Sequence, residues 1–155
     1  MDSRKKRTIR AFAWIYFILY MLLIVYFMFL SENLGRSIKG ERFRYNLKLG
    51  NEIKRFWYNR QSLGLRVTLV NIVGNVITFM PFGFILPMLT KKKVYKNVIT
   101  VTMLTALFSF IIEAIQLNYK IGAFDVDDIL LNTIGGFLGC IIYHICNTIR
   151  VLLKK

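Results

Sequence analysis

The sequence has 155 residues, of which 55% are hydrophobic, and its formal net charge is +14. The length suits a single domain, and the hydrophobic share exceeds that of a typical soluble domain, which excludes an ordinary water-soluble enzyme or binding module. Because the positive charges lie beside long apolar stretches and not on a polar domain, we expect anionic lipid headgroups, and no nucleic acid, as their partners.

Four apolar stretches have the length of membrane-spanning helices, which need about 20 mostly apolar residues. The first carries no charge and follows a basic N-terminal segment, and the residues after it offer no small-x-small cleavage site, so we predict an uncleaved signal anchor. The predicted spans are residues 11–30, 67–89, 97–117 and 129–149. The chain is therefore predicted to be an all-α integral membrane protein, a four-helix transmembrane bundle that forms one domain over residues 1–155.

The connection between the first two spans, residues 31–66, contains an amphipathic pattern. Its segment YNLKLGNEIKRFWYNR places Leu49, Ile53, Phe56 and Trp57 at helical spacing among basic residues. This pattern is typical of an interfacial helix that lies on lipid headgroups. The alternative is a solvated basic loop.

The Lys and Arg residues in the short flanks predict the orientation of the bundle, because they concentrate on the cytoplasmic side of a membrane. Five precede the first span, four lie in TKKKVYK at 90–96, three lie in the tail, and one, Lys120, lies between the third and fourth spans. We therefore predict a multi-pass protein of the cell membrane with both termini in the cytoplasm. The extracytoplasmic 31–66 connection, with nine Lys/Arg and three Glu, opposes this pattern, but long loops count less.

Polar residues follow one face of the second and third spans, as the helical period of 3.6 residues places them. Asn71 and Asn75 share a face of the second span, and Ser109, Glu113 and Gln116 share a face of the third. An acid inside a membrane is costly and usually faces the interior of a bundle, where it marks a functional site.

The stretch FDVDDILLNTIGGFLG, residues 124–139, opens the fourth span with a similar stripe formed by Asp125, Asp128 and Asn132. The three stripes begin near the same predicted outer end, so we predict that these eight residues line one polar pocket that opens outward. The alternative is that acids and amides bond one another to hold the bundle together, at about 0.6–2 kcal/mol per contact.

Small residues and prolines are assigned to helix packing. Gly135, Gly136 and Gly139 permit close helix contact in a bilayer. In the second span, Pro81, Gly83 and a second proline interrupt the inner half and permit a kink. A single interrupted helix indicates a transport site only weakly.

Three ordered motifs, NIVGNVITFMPFGFILPM, SFIIEAIQ and IGAFDVDDILLNTIGGFLG, resemble the successive signatures of the VanZ-like family of bacterial membrane proteins. The resemblance covers about 71–139. The family's motif positions carry over to Asn71, Asn75, Pro81, Gly83, Glu113, Gln116, Asp125, Asp128, Asn132, Gly136 and Gly139.

The resemblance implies a small polytopic protein and, as for the family's namesake, a contribution to resistance against the glycopeptide teicoplanin. Two departures from the family pattern affect the acids. Many members carry an arginine just before the first aspartate, where this chain has Ile121-Gly122-Ala123, and the family element Asn-Leu-x-Pro-Phe is here Asn46-Leu47-Lys48-Leu49-Gly50. We hypothesise that Arg42, Arg44 or Lys48 replaces the missing counter-ion.

Three classes of function remain open. The leading one is a membrane protein whose pocket engages a lipid-linked envelope precursor or the acyl region of the lipoglycopeptide drug. The second is a membrane-embedded enzyme in which Asp125, Asp128 and Glu113 hold a divalent cation and act on a lipid phosphate; the third is a small transporter or channel that uses Glu113. No clear nucleophile and no zinc-like Cys/His spacing is present, so we assign no catalytic residue, metal or cofactor.

Overall fold

The computed structural model describes residues 3–26 and 43–153. Helices dominate the described chain, and two strands of three residues each are its only extended elements. In chain order the elements are α1 (Ser3–Val25), β1 (Arg44–Asn46), α2 (Asn51–Tyr58), α3 (Arg60–Leu63), α4 (Leu65–Leu89), a 3-10 turn (Lys93–Lys96), α5 (Val98–Tyr119), β2 (Ala123–Asp125) and α6 (Val126–Leu152).

Four of these helices, α1, α4, α5 and α6, are long and apolar enough to cross a membrane. At 1.5 Å per residue, the 22 residues of α5 extend about 33 Å, close to the roughly 30 Å of a bilayer core. Many of their large apolar side chains are exposed, as membrane contact requires. The prediction of an all-α protein with four membrane-spanning helices is therefore confirmed.

The helix boundaries differ from the predicted spans at several ends. Helix α6 begins at Val126 rather than at 129, because the Asp125 side chain caps it by accepting a hydrogen bond from the backbone N–H of Asp127. Helix α5 continues to Tyr119 and ends at Lys120, which has a positive φ of 56°. The last part of the first predicted span, 27–30, and the connection at 31–42 lie outside the described residues.

Helix α4 passes through Pro81 and Pro87 without a break. The expected interruption of the second span is therefore wrong. Proline removes one backbone donor and disturbs one turn, and the contacts of α4 with its neighbours hold the remaining hydrogen-bonded turns in place. A continuous helix gives no support to the broken-helix transport site.

Four glycines let α4 and α6 lie in direct backbone contact. A Cβ atom added to Gly83 would overlap the backbone of Gly136, and one added to Gly139 would overlap the carbonyl oxygen of Met80. Gly135 meets the backbone of α4 in the same way, and Gly136 also leaves room for a threonine side chain of α5. These positions admit no side chain without moving a helix, as is typical where membrane helices cross closely.

Aromatic side chains attach α1 to the other helices. The ring of Phe17 lies 5.9 Å from that of Phe82, which stacks on Phe108 of α5 at 5.0 Å between ring centroids. The Tyr20 hydroxyl donates a hydrogen bond of 2.7 Å to the carbonyl oxygen of Thr78. Helix α1 is therefore held at a few points along α4, which leaves space between the two helices elsewhere.

A short parallel sheet joins the connection after α1 to the start of α6, and the sequence pattern did not predict it. Strand β1 pairs with β2 in the register Arg44 to Ala123, Tyr45 to Phe124 and Asn46 to Asp125. Three-residue strands give almost no periodic signal, and their pairing depends on residues about 79 positions apart. The sheet places the residues of β1 beside the acids at the start of α6.

Helix α2 follows the sheet and is amphipathic, as the sequence predicted, but it is shorter than the predicted pattern. Leu49 precedes it, and Gly50, with φ of 79°, forms its N-cap. Ile53 and Phe56 are half-buried against the bundle, whereas Trp57 is exposed.

Candidate functional site

Asp125 joins the sheet to the fourth long helix. Its Oδ1 atom accepts the capping hydrogen bond from the Asp127 backbone at 2.8 Å and a second bond from Asn46 Nδ2 at 3.1 Å. Burial raises the pKa of the Asp125 carboxyl above its ordinary value, although these two hydrogen bonds lower it again in part. The negative charge of Asp127 adds to the increase, and the nearby Arg55 reduces it.

Asn46 occupies the place where a counter-ion for Asp125 was expected. Of the three basic residues in the hypothesis, Arg42 lies outside the described residues. Within the described chain, neither the Arg44 nor the Lys48 side chain forms a hydrogen bond or salt bridge with Asp125. The backbone N–H of Lys48 instead donates to Asn46 Oδ1 at 3.2 Å, which orients the amide. The neutral amide of Asn46 therefore takes the position expected for a charged counter-ion. The charge of Arg55 also lowers the pKa of Asp125, without a direct hydrogen bond.

Asp127 is the functional-site candidate that the sequence reasoning missed. Its side chain is 1% exposed, and its two carboxylate oxygens accept hydrogen bonds from the backbone N–H groups of Gly50, Glu52 and Ile53. These donors belong to the first turn of α2, which has no partner for them within the helix. Asp127 therefore fixes the N-terminus of α2 to the start of α6.

Asp127 is the middle acid of the three in the sequence Asp125-Val126-Asp127-Asp128. Asp127 lies off the helical stripe that contains Asp128 and Asn132, so a projection around α6 alone gave no reason to select it. Its partner is the turn around Gly50, which departs from the family element at this point. Only the folded chain brings that turn to α6.

Asp128 and Asn75 form the contact between α6 and α4 at this end of the bundle. Asn75 Nδ2 donates to Asp128 Oδ1 at 2.6 Å. Asn71, one turn earlier on α4, is exposed and donates to the carbonyl oxygen of Val67 at 2.9 Å. The structure therefore pairs Asp128 with one of the two predicted asparagines.

A second group of predicted residues lies buried between α5 and α6. Glu113 Oε2 accepts a hydrogen bond of 3.0 Å from the backbone N–H of Asp125, and Asn132 Nδ2 donates to Ser109 Oγ at 2.8 Å. Glu113 and Asn132 are each 1% exposed. Asn132 Oδ1 is buried and has no hydrogen-bond partner among the described atoms.

A cleft of about 630 Å³ lies between α1, α4 and the elements around the start of α6. From Asn71 to Pro81 it follows eleven residues of α4, a rise of about 15 Å along the helix. Its polar end is lined by Arg44, Asn46, Glu52, Arg55, Asn71, Asn75, Gln116, Lys120, Asp125, Asp127 and Asp128 together with the apolar side chains of Ile53, Phe56, Val70, Ile72 and Ile121. Its apolar end is lined by Tyr20, Leu23, Ile77, Thr78, Pro81 and Leu131. The cleft is therefore amphiphilic along its length.

The structure separates the eight predicted pocket residues into two groups. Five of them line the cleft, namely Asn71, Asn75, Gln116, Asp125 and Asp128. Ser109, Glu113 and Asn132 do not line it, because they are buried in the α5–α6 contact, where Gly136 lies directly against Thr105 of α5. Pro81, assigned to packing, lines the cleft instead.

Charged groups at the polar end are partly paired. Glu52 and Arg55 form a salt bridge of 2.7 Å, and burial raises the pKa of the Glu52 carboxyl while Arg55 lowers it. Across residues 3–26 and 43–153, no three His, Cys, Asp or Glu side chains are grouped so that they could hold a metal ion. Asp125, Asp128 and Glu113 instead direct carboxylate oxygens to separate protein donors.

Comparison with known proteins agrees with this architecture. The family model VanZ/LLP1 matches residues 17–147. "Protein VanZ" of Enterococcus faecium is 32% identical over 102 residues, which cover 63% of this chain. The matched region spans 62% of the length of that relative. No solved structure matches the chain. Because the family model covers most of the sequence, including all of α4 and α5 and most of α6, this multi-pass membrane protein belongs to the VanZ/LLP1 family.

Proposed function

We propose that this protein contributes to glycopeptide resistance, in particular to teicoplanin, by binding a lipid or another cell-envelope amphiphile in the cleft. The observation that carries the proposal is that one cavity joins charged and amide side chains at one end to apolar side chains at the other. An amphiphile has the same two-part chemistry, and about 630 Å³ lies in the size range of small-molecule sites. The family resemblance supplies the link to teicoplanin.

The proposal places the cleft on the outer side of the cell membrane, with both termini in the cytoplasm. The Lys/Arg distribution supports this orientation, since TKKKVYK at 90–96 and the basic N-terminal segment lie at the opposite end of the bundle from Lys120. An outward cleft is accessible to envelope precursors and to drugs that act outside the cell.

Helix α2 supports the same placement at the membrane surface. Trp57 and Tyr58 are exposed, and the Arg60 guanidinium lies 4.9 Å from the centroid of the Trp57 ring. Exposed aromatic and basic side chains on an amphipathic helix are typical of contact with lipid headgroups. Anionic membrane lipids are therefore the proposed partners of this surface.

The chemistry of the drugs suggests how a cleft of this kind changes susceptibility. Teicoplanin carries an acyl chain and vancomycin lacks one, so an apolar cleft at the membrane surface distinguishes the two drugs. Two occupants are compatible with the proposal: the acyl region of the drug itself, or a lipid-linked wall precursor that the drug targets. Both place an apolar chain between α1 and α4 and a polar group beside Asp128.

Expression in a teicoplanin-sensitive Gram-positive host tests the proposal. We expect the wild-type protein to raise the inhibitory concentration of teicoplanin and to change that of vancomycin little. Asp128→Asn keeps the shape of the side chain and removes its charge, so this variant is expected to accumulate normally and lose the teicoplanin effect. Lys54→Gln, on an exposed residue outside the cleft, is the matched control and should behave as wild type.

A wild-type protein that reaches the membrane and gives no teicoplanin shift contradicts the proposed function. An Asp128→Asn variant that protects as well as wild type contradicts the role of the cleft charge. In that case Asp128 serves the packing of α6 against α4, as its hydrogen bond with Asn75 indicates.

A further inference from the structure

The segment that comprises α2 and α3, residues 51–63, is bounded by two glycines with positive φ. Gly50 has a φ of 79° and Gly64 a φ of 86°, a backbone region that residues with a side chain rarely adopt. Space does not require glycine at either position. An added Cβ atom would meet only the Lys54 side chain, at 4.0 Å, at Gly50 and nothing within 4 Å at Gly64. The two glycines are therefore required by the backbone conformation at the ends of the segment.

The α2–α3 segment forms one wall of the cleft at its polar end. Four of its side chains line the cleft, namely Glu52, Ile53, Arg55 and Phe56. No residue of α2 or α3 is fully buried. A segment with few buried contacts opens at a lower free energy than the helices that form the core of a protein. The segment can therefore move away from the cleft while the long helices stay packed.

Polar contacts attach the α2–α3 segment to the bundle at two points. At its start, the buried carboxylate of Asp127 accepts the hydrogen bonds from the first turn of α2 that are described above. Further along α2, the hydroxyl oxygen of Thr68 lies 3.2 Å from the carbonyl oxygen of Phe56, to which it donates. Thr68 belongs to α4 and is buried, as Asp127 of α6 is. Two fixed side chains of the long helices therefore hold the backbone of α2 in place.

We propose that residues 51–63 form a lid over the polar end of the cleft, which opens about Gly50 and Gly64 and is held closed by Asp127. The inference takes the cleft as the binding site from the proposed function and adds the route by which the polar group of an amphiphile enters. Lids of binding sites move about a few residues at the ends of an element, and these residues are often small. Opening breaks the contacts of Asp127 and Thr68 with α2 and leaves the glycine contacts between α4 and α6 unchanged.

The rate of thiol modification in the detergent-solubilised full-length protein measures how often the lid opens. The native Cys140 and Cys146 are first replaced by alanine. A single cysteine is then introduced at Ile53, on the cleft face of the lid, or at Ile72, on the α4 wall of the cleft one turn from Thr68. Both positions are half-buried, so a bulky charged methanethiosulfonate reagent reaches them when the lid is open. The modification rate at each position is then proportional to the open fraction.

Variants of the Asp127 contact and of the hinge should raise the two rates together. Asp127→Ala should increase both rates by about 150-fold, because it removes the charged acceptor of the first turn of α2. Gly64→Ala should increase both by about fivefold or more, because a side chain disfavours the positive φ of the closed lid, while its methyl group enters open space. Gln61→Ala, on an exposed residue of the lid, is the matched control and should keep the wild-type rates. A reference cysteine at the exposed Trp57 should react at one rate in every variant.

An increase at Ile53 alone in Asp127→Ala overturns the lid, because only the first turn of α2 then opens. Wild-type rates in Gly64→Ala, or an equal increase in Gln61→Ala, overturn the hinge. Should Asp127→Ala fail to accumulate, Asp127→Asn keeps one acceptor oxygen and decides the same question by a smaller increase.

These rates are independent of the teicoplanin assay. The expected rates in a protein that gives no teicoplanin tolerance would uphold the lid and contradict the proposed function. Unchanged rates in a protein that does give tolerance would overturn the lid and leave the proposed function in place.

Discussion

Substitution of Asp127 by alanine is expected to release α2 from the bundle. The carboxylate is buried and accepts hydrogen bonds from the N–H groups of Gly50, Glu52 and Ile53. No other group in the first turn of α2 caps these donors, since the structure gives Gly50 as an N-cap without a side-chain bond. Asp127→Ala removes all three bonds together.

The magnitude follows from these contacts. A hydrogen bond to a charged group contributes about 1.5–3 kcal/mol net. The bond from Ile53 is long at 3.3 Å and is left out, so the bonds from Gly50 and Glu52 at the lower value give about 3 kcal/mol. This corresponds to a local opening of α2 that is about 150-fold more frequent. Asp127→Asn keeps one acceptor oxygen and should show about half of that free-energy change.

Hydrogen–deuterium exchange of the detergent-solubilised protein measures this opening. Amides of Gly50, Glu52 and Ile53 should exchange about 150-fold faster in Asp127→Ala, while amides of α5 keep their wild-type rates. Glu52→Gln is the control, because it removes only the partly exposed salt bridge with Arg55, which contributes at most about 1 kcal/mol. Unchanged exchange in Asp127→Ala, or an equal effect of the control, would refute the assignment of Asp127 as the attachment of α2.

Three further predictions follow from the packing, the charges and the topology. Gly139→Ala should destabilise the folded protein by about 1–3 kcal/mol, because the added methyl group overlaps backbone of α4, whereas Gly74→Ala should not; equal thermal stability of the two variants would contradict the packing account. Burial raises the pKa of Asp125 in the folded state, so the folded protein binds this proton more tightly than the unfolded chain does. The free energy of unfolding therefore falls as the pH rises from the ordinary pKa of 3.8 through the folded pKa. Asp125→Asn should flatten the dependence of melting temperature on pH above 3.8, and a steeper dependence in the variant would contradict this sign. With the native cysteines replaced, a cysteine at Lys120 should react with an impermeant reagent on intact cells and one at Lys92 should not, and labelling at Lys92 alone would reverse the orientation.

The membrane-spanning helices were predictable because each depends on a local property, a run of about 20 apolar residues. The observed helix ends differ from the predicted ends where a single capping side chain determines them, as Asp125 does at the start of α6. The glycine stripe was likewise readable from helical spacing, since Gly135 and Gly139 lie one turn apart and face the same neighbour.

The candidate site was less predictable because its contacts join distant parts of the chain. Helical projection selected the acids that face along α6, and it missed Asp127, whose partner is the turn at Gly50. It also placed Glu113 in the same cavity as Asp128, because a projection gives the direction of a side chain and not the distance between helices. Close packing of α5 on α6 removes Glu113 from the cleft.

The most direct test of the central claim is the teicoplanin tolerance of cells that produce Gly74→Leu at the wild-type membrane level. This substitution fills the middle of the cleft and leaves the glycine contacts between α4 and α6 intact. If binding of an amphiphile in the cleft underlies tolerance, the variant should give the teicoplanin susceptibility of cells without the protein, while Lys54→Gln protects as wild type does. Full protection by Gly74→Leu would contradict the account.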